Sequence, residues 1–221
     1  RTFSLSITCF DVNKQIFIFG SNIGMIYGFK RGQRVNSGLF LKKRLVEASI
    51  VNIKLISDEL VVISTETGVY LINWVKKQLM YGWNGRIHCK ITAIQCFVNS
   101  KTEKISLVTG DSQGNILSHD FIERSQTEIW KENSHEIVQL EFIDDNKILI
   151  SSCFRTFILS IDSPKDVIQI GSNKRKVCGK YGAINLAKSN IIIAARPSLH
   201  LIKADSSTGN VTQTFILKNA N

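Results

Sequence analysis

The sequence holds little that interrupts a backbone. Two prolines and 14 glycines among 221 residues exclude collagen-like and low-complexity classes, and no charge run or Gly/Ser tract marks an internal linker. One architectural unit is expected to span the chain. The longest uninterrupted apolar stretches, such as Ile191 to Ala195, fall far short of the roughly 20 residues that a membrane-spanning helix needs. The chain begins at Arg1 with no initiator Met and no charged-then-apolar-then-small pattern. Processing, or excision from a longer polypeptide, is therefore expected to have set its start.

Paired cysteines are also missing. The five present (Cys9, Cys89, Cys96, Cys153 and Cys178) are odd in number and scattered, and four lie inside or beside apolar runs. Reduced, partly buried thiols in the cytosol are expected rather than a disulfide framework. Acidic residues are in deficit, with 18 Asp+Glu against 28 Lys+Arg and a formal charge of +10. Basic clusters stand at Lys30-Arg31, Lys42-Lys43-Arg44, Lys76-Lys77 and Lys174-Arg175-Lys176. Such a surface attracts acidic protein, phosphoinositide headgroups or nucleic acid. Lysine at a strand edge is also an ordinary guard against edge pairing.

What is present argues for a folded domain: 43% hydrophobic against 21% charged residues. The apolar residues recur in a pattern. Each unit starts with a short apolar strand, at Ser6 to Val12, Ile50 to Ile56, Ile91 to Val98, Ile137 to Ile143 and Tyr181 to Ala187. After a polar turn comes a nearly continuous apolar strand, at Ile16 to Phe19, Leu60 to Ile63, Ile105 to Val108, Ile148 to Ile150 and Ile191 to Ala195. Runs apolar on both faces imply strands covered on both sides, and stacked propeller blades provide that cover.

A second tight turn then ends in glycine in the first three units, at Gly24, Gly68 and Gly114, where a left-handed backbone carries no steric cost. Arg155 and Leu199 take that place in units four and five, so their turns must differ. The five positions lie 44, 46, 41 and 44 residues apart, close to the spacing of WD40 repeats. Fourth strands can be placed at Phe40 to Leu45, Gln78 to Trp83, Thr127 to Trp130, Val167 to Ile170 and Thr212 to Leu217.

Four strands per unit make a blade. The fold expected is therefore all-β, a WD40-like β-propeller of five four-stranded blades at roughly 5–45, 49–83, 90–131, 136–171 and 181–218. A helical solenoid is excluded because the β-branched runs are too short. A β-sandwich shares the strand spacing but does not explain the loop glycines. Closed propellers commonly hold six to eight blades. A seven-bladed ring is expected, with the remaining blades supplied by the rest of the same chain. An unclosed ring leaves two bare apolar blade faces.

Specific strings go further. Thr8 to Arg31, Glu136 to Thr156 with its IVQLEF and KILISS core, Gln169 to Gly182, Ala194 to Pro197, Lys203 to Asp205 and Thr214 to Lys218 resemble the N-terminal propeller of the tectonin beta-propeller repeat-containing proteins. The Gly-Lys-Tyr-Gly-Ala and Ala-Arg-Pro strings also resemble the propeller of a Hermansky-Pudlak syndrome family, which implies a lysosome-related organelle complex. Ile23 to Tyr27 and the Thr-Phe-Ile-Leu-Lys ending favour the tectonin family. That resemblance implies a large cytoplasmic protein of autophagy, autophagosome formation and vesicle export from the endoplasmic reticulum. It also implies peripheral placement on exit-site, autophagosomal or endolysosomal membranes. Its implied partners are proteins of the autophagy and early secretory or endolysosomal machinery. Family members bind ubiquitin-like proteins through an aromatic-x-x-aliphatic motif with acidic neighbours. The only match here, Tyr181 to Ile184, follows Lys180 on an expected core strand, so this domain is expected to serve other partners.

Chemistry is sparse. His88, His119, His135 and His200 fall on different units, and His88-Cys89 with Cys96 lacks zinc-site spacing. No phosphate-cradling loop, nucleophile elbow or dinucleotide fingerprint occurs. No catalytic, metal or cofactor-binding residue is expected, and Trp74, Trp83 and Trp130 are expected to pack within blades. Phe29-Lys30-Arg31-Gly32 is similar to the Phe-Arg-Arg-Gly motif with which a family of autophagy propellers grips phosphoinositides. This makes Lys30 and Arg31, with Lys174, Arg175 and Lys176, candidate contacts for an anionic headgroup, each basic residue contributing about 1 kcal/mol at a membrane surface. An exposed hairpin end accounts for the same residues. Nucleic acid is the weakest binding reading, because no exposed aromatic platform interleaves with the cations.

Overall fold

Side chains alternate between the two faces of a strand, so a strand apolar at every position must be covered twice. The computed structural model describes residues 4–34, 38–76, 78–84, 89–99, 102, 104–133, 135–172, 175–176, 179–184, 190–195, 200–205 and 207–216. These residues form five four-stranded antiparallel sheets, each with its strands in sequence order. Blade 1 comprises β1 (Ile7–Val12), β2 (Ile16–Ser21), β3 (Met25–Lys30) and β4 (Leu39–Arg44). Blade 2 comprises β5 (Asn52–Leu55), β6 (Leu60–Ser64), β7 (Gly68–Asn73) and β8 (Gln78–Asn84). Blade 3 comprises β9 (Ile91–Val98), β10 (Ile105–Asp111), β11 (Asn115–Asp120) and β12 (Ser125–Lys131). Blade 4 comprises β13 (Ile137–Phe142), β14 (Lys147–Ser152), β15 (Thr156–Ser160) and β16 (Val167–Gln169). A two-stranded hairpin follows, β17 (Gly171–Ser172) with β18 (Arg175–Lys176). Blade 5 comprises β19 (Gly179–Ile184), β20 (Asn190–Ala195), β21 (His200–Asp205) and β22 (Val211–Ile216).

First strands pack in succession, β1 on β5, β5 on β9, β9 on β13 and β13 on β19. Every apolar cluster is accordingly a boundary between blades. Ile18, Ile26 and Leu41 of blade 1 meet Ile53, Val61, Ile63 and Ile72 of blade 2. Val62, Val69 and Leu71 then meet Ile91, Ile94 and Leu107 of blade 3. Ala93, Val108 and Ile116 meet Leu140, Ile148, Ile150 and Phe157 of blade 4. On its other side blade 4 turns Leu149 and Ile158 toward Ala204 of blade 5. Alternation does the sorting: Val61 and Ile63 point one way and Val62 the other, as do Ile148 and Ile150 against Leu149. This β-propeller packing explains the doubly apolar central strands.

Polar side chains repeat the stacking. Asn13 Nδ2 donates to Asp58 Oδ1 at 3.0 Å, and one repeat unit pair later Asn99 Nδ2 donates to Asp145 Oδ2 at 3.1 Å. Between the same blades the Leu55 N–H donates to Asp11 Oδ2 at 2.8 Å, and Gln95 Nε2 to Glu141 Oε2 at 2.7 Å.

The second turn departs from expectation in blade 2. Gly24 and Gly114 are left-handed, at φ +75° and +82°, but Gly68 is not among the left-handed glycines; it is the first residue of β7. The recurring feature is instead an oxygen-bearing cap. Ser21 Oγ accepts from Met25 N–H at 2.9 Å, Thr65 Oγ1 from Gly68 N–H at 2.9 Å, Asp111 Oδ1 from Asn115 N–H at 2.9 Å, and Ser152 Oγ from Arg155 N–H at 3.0 Å. Turns in blades 1 and 3 hold one more residue than those in blades 2 and 4, and that residue is the left-handed glycine. Gly68 therefore corresponds to Met25 and not to Gly24. It lacks a side chain for another reason: a Cβ there would lie 2.5 Å from Tyr70 Oη. Leu199 lies outside the described residues.

Candidate functional site

Each blade turns one face toward its predecessor, and strand register makes those faces comparable. In blade 4 the face carries Leu140, Phe142, Ile148, Ile150, Phe157 and Leu159, paired as Leu140↔Ile150↔Phe157 and Phe142↔Ile148↔Leu159. Blade 1 carries the same ladder, Phe10↔Phe19↔Tyr27 and Val12↔Phe17↔Phe29. In blade 4 this face is sealed against blade 3. In blade 1 no described element covers it: Phe10 is 66% exposed and Val12 42%. Phe17, Phe19 and Phe29 line an open, mostly apolar recess of about 330 Å³. Phe19 lies 6.2 Å from Phe10 and 5.8 Å, edge-on, from Phe29, as aromatic pairs prefer.

The basic candidates are spread over this row of blades. Lys30 ends β3 and Arg31 opens the following turn; both are exposed, and Lys30 with Gly32 borders the aromatic recess. Lys174 lies outside the described residues. Arg175 and Lys176 form β18, paired as Ser172↔Arg175 and Gly171↔Lys176. That hairpin is tied to blade 5 by Gly171 N–H donating to Gly209 O at 3.1 Å. Blades 2, 3 and 4 stand between the two basic groups, which the fold does not bring together. Sequence reading did not foresee the β17–β18 hairpin. Tyr181 to Ile184 lies in β19, laddered to β20 as Tyr181↔Ala194 and Ile184↔Ile191.

Two polar groupings escaped the sequence. Arg155, at the turn of blade 4, reaches back to Glu132 of blade 3, with Nε at 2.7 Å from Oε1 and Nη2 at 2.8 Å from Oε2. Trp130 Nε1 donates to Oε2 at 3.3 Å, and Arg155 also covers the Phe157 ring at 4.9 Å. Glu132 is fully buried. Burial opposes its charge, but the Arg155 and Trp130 hydrogen bonds and the guanidinium outweigh that and hold its carboxyl below the usual range. The only available signal was Arg155 standing at a tight turn.

The second grouping surrounds His119, whose Nε2 lies 2.9 Å from Thr109 Oγ1 and Nδ1 3.4 Å from the Tyr81 hydroxyl. Trp83 meets its ring edge-on at 5.0 Å. Burial pulls the His119 pKa down to about 4, so it is neutral at physiological pH. Beside it a cleft of about 140 Å³ is lined by Trp83, Cys89, Thr109, Asp111, Asn115 and Glu128, among others.

Among the described residues no three His, Cys, Asp or Glu side chains gather as a metal site, and no helix is long and apolar enough to cross a membrane. Cys9, Cys89 and Cys96 are half-buried without disulfides, whereas Cys153 is exposed; burial drives the Cys96 thiol up to about 12. His88 and Cys178 lie outside the described residues. The three tryptophans are half-buried against the blade cores rather than sealed in them.

Known proteins fit this architecture. The chain is 30% identical over 237 residues to Tectonin beta-propeller repeat-containing protein 2 of Homo sapiens, an alignment covering 100% of this chain and 16% of that protein. It is 24% identical over 244 residues to WD repeat-containing protein CG11141 of Drosophila melanogaster, covering 98% of this chain and 33% of that protein. The chain thus spans 16% and 33% of the lengths of these curated relatives. The resemblance carried by Thr8 to Arg31 and the later strings therefore holds along the whole chain. Among solved structures, the computationally designed Ika8 protein matches with a TM-score of 0.74 at 18% identity, over 95% of this chain and 61% of that one. The designed Ika4 protein matches with a TM-score of 0.57 at 19% identity, over 72% of this chain and 93% of that one. These likenesses bear on the fold alone. No family model matches the chain, in keeping with its missing Gly-His and Trp-Asp dipeptides.

Proposed function

We propose that this chain is a non-catalytic docking platform of a larger cytoplasmic protein, serving autophagy, autophagosome formation and vesicle export from the endoplasmic reticulum. One observation carries the reading: blade 1 presents a complete blade-to-blade face, Phe10, Val12, Phe17, Phe19, Tyr27 and Phe29, with no described neighbour upon it. A face of that chemistry is satisfied by protein, because uncovered apolar surface of this kind marks interaction sites. Part of it accepts further blades of the same polypeptide, closing a seven-bladed ring. The turns and connections then face partners from the autophagy and early secretory or endolysosomal machinery. The names of the two curated relatives, one a beta-propeller repeat protein and one a WD repeat protein, support the scaffold role.

Proximity labelling from the full-length protein, with and without residues 1–221, tests the proposal. Loss of autophagy and exit-site neighbours on deletion is expected; an unchanged neighbour set overturns it. Exposure of both Lys30 and Arg31 beside the aromatic recess favours a second reading, recognition of an anionic membrane surface. Flotation with phosphoinositide vesicles separates the two, since Lys30→Ala with Arg31→Ala abolishes flotation only under the second.

A further inference from the structure

We propose that the segment of the same polypeptide covering blade 1 is acid-bearing and pairs its carboxylates with Lys14 and Arg31, a refinement that rests on the docking function above. The blade boundaries inside the chain supply the comparison, because the first turn is built alike in three blades. Asn13 Oδ1 accepts from the N–H groups of Gln15 and Ile16, Ser57 Oγ from those of Glu59 and Leu60, and Asp144 Oδ1 from those of Asn146 and Lys147. The residues that follow these caps, Lys14, Asp58 and Asp145, are therefore equivalent. In blades 2 and 4 that residue is the one the preceding blade reaches: Asp58 accepts from Asn13 Nδ2 at 3.0 Å, and Asp145 from Asn99 Nδ2 at 3.1 Å. Blade 1 holds a cation where those blades hold an acceptor.

Arg31 is the second departure. Its N–H donates to Gln15 O at 2.7 Å, as the Trp74 N–H does to Glu59 O at 3.0 Å and the Ile161 N–H to Asn146 O at 2.7 Å. Trp74 and Ile161 use that place to pack on the blade before them, and Trp74 meets Phe40 of blade 1 at 4.9 Å. Arg31 and Lys14 are instead exposed, and neither belongs to an ion pair among the described residues. The bond from Arg31 to Gln15 gathers both cations at the Lys30 end of the aromatic recess.

The ladder of blade 1 calls for what blade 3 gives blade 4, where Ala93, Val108 and Ile116 pack against Phe157. Its rim calls for something different. Asn13 Oδ1 is spent on its own turn, so only Nδ2 crosses to the next blade; the same cap set against Lys14 would oppose donor to donor. Covering the face strips water from both cations, and a desolvated cation without a carboxylate destabilises the contact. Acid on the covering segment removes that cost and fixes its register. A second copy of this chain, with its formal charge of +10, brings an excess of the wrong sign. A lipid surface supplies negative charge but no side chains to interdigitate with the ladder. The curated relatives, of which this chain spans 16% and 33%, hold ample further polypeptide to supply the segment.

Zero-length cross-linking of the full-length protein tests the assignment, using a water-soluble carbodiimide, which joins an amine to a carboxylate in contact with it, and peptide mass spectrometry. The exposed Lys90–Glu66 pair at 3.0 Å is the internal standard. Lys14 is expected to link to an Asp or Glu outside residues 1–221 at a yield comparable to that standard. In a mixture of isotopically heavy and light protein, the link is expected to join peptides of one isotope only. Mixed-isotope links, links to a co-purified protein, links confined to carboxylates within residues 1–221, or no Lys14 link where Lys90–Glu66 forms overturn the assignment. Should a longer amine-to-amine reagent then still tie Lys14 to lysines outside residues 1–221, the face is covered without carboxylates, and the docking function stands while this refinement falls.

Discussion

Blades 1 and 4 carry one ladder in two surroundings. Phe157 and Tyr27 occupy the same register position, opposite Ile150 and Phe19 respectively, yet Phe157 is fully buried and Tyr27 is half-exposed at the bare end of the row. Sequence chose an apolar residue at both places, so the difference lies in what the neighbouring blade supplies. A blade face is thus written for contact whether or not its contact is present, and its contribution to stability depends on that contact.

The largest effect expected from this contrast is at Phe157. Phe157→Ala in residues 1–221 is expected to cost about 3–5 kcal/mol in denaturant unfolding, whereas Tyr27→Ala costs less than about 1 kcal/mol. An equal loss at Tyr27 would show that something already covers blade 1.

Charges follow the same logic. Glu132→Ala strands half-buried Arg155 without its carboxylate and is expected to cost about 3 kcal/mol. Lys90→Ala, which breaks the exposed Lys90–Glu66 pair at 3.0 Å, is expected to change stability by less than about 1 kcal/mol. Comparable losses in the two unfolding curves would contradict this ranking.

Blade 3 sharpens the comparison with pH, since His119 stands at the position that Phe29 and Leu159 occupy in blades 1 and 4. The unfolded chain takes up its proton near 6.5, while the folded chain resists until about 4. Stability is therefore complete above pH 6.5 and falls by up to about 1.4 kcal/mol per unit on acidification toward pH 4. His119→Gln is expected to remove that contribution to the slope; an unchanged slope would assign it to other groups.

The smallest change in folding free energy has the clearest readout. Residues 1–221 alone are expected to self-associate in sedimentation velocity, and Phe10→Ser with Phe19→Ser to shift them toward monomer at a cost under about 1 kcal/mol. A monodisperse, sharply melting monomer of the unsubstituted chain would break the contrast between bare and covered faces.

The five-blade architecture was legible because period-two alternation and doubly apolar runs are local signals. Turn chemistry was less so. Gly24, Gly68 and Gly114 look equivalent in sequence, but only the hydrogen bonds of Ser21, Thr65, Asp111 and Ser152 show that two turns hold an extra residue. The β17–β18 hairpin is too short to give a periodic signal. Glu132 meets Arg155 only after the chain has crossed from one sheet to the next. Such contacts have no footprint in spacing along a single strand.

Since each apolar cluster is divided between adjoining sheets, no sheet owns a core of its own. Cutting the row at any boundary strands two half-cores at once. Unravelling should then proceed inward from whichever end lacks a neighbour, the way a zip opens, and amide protons in β6, β10 and β14 should be the last to trade with solvent.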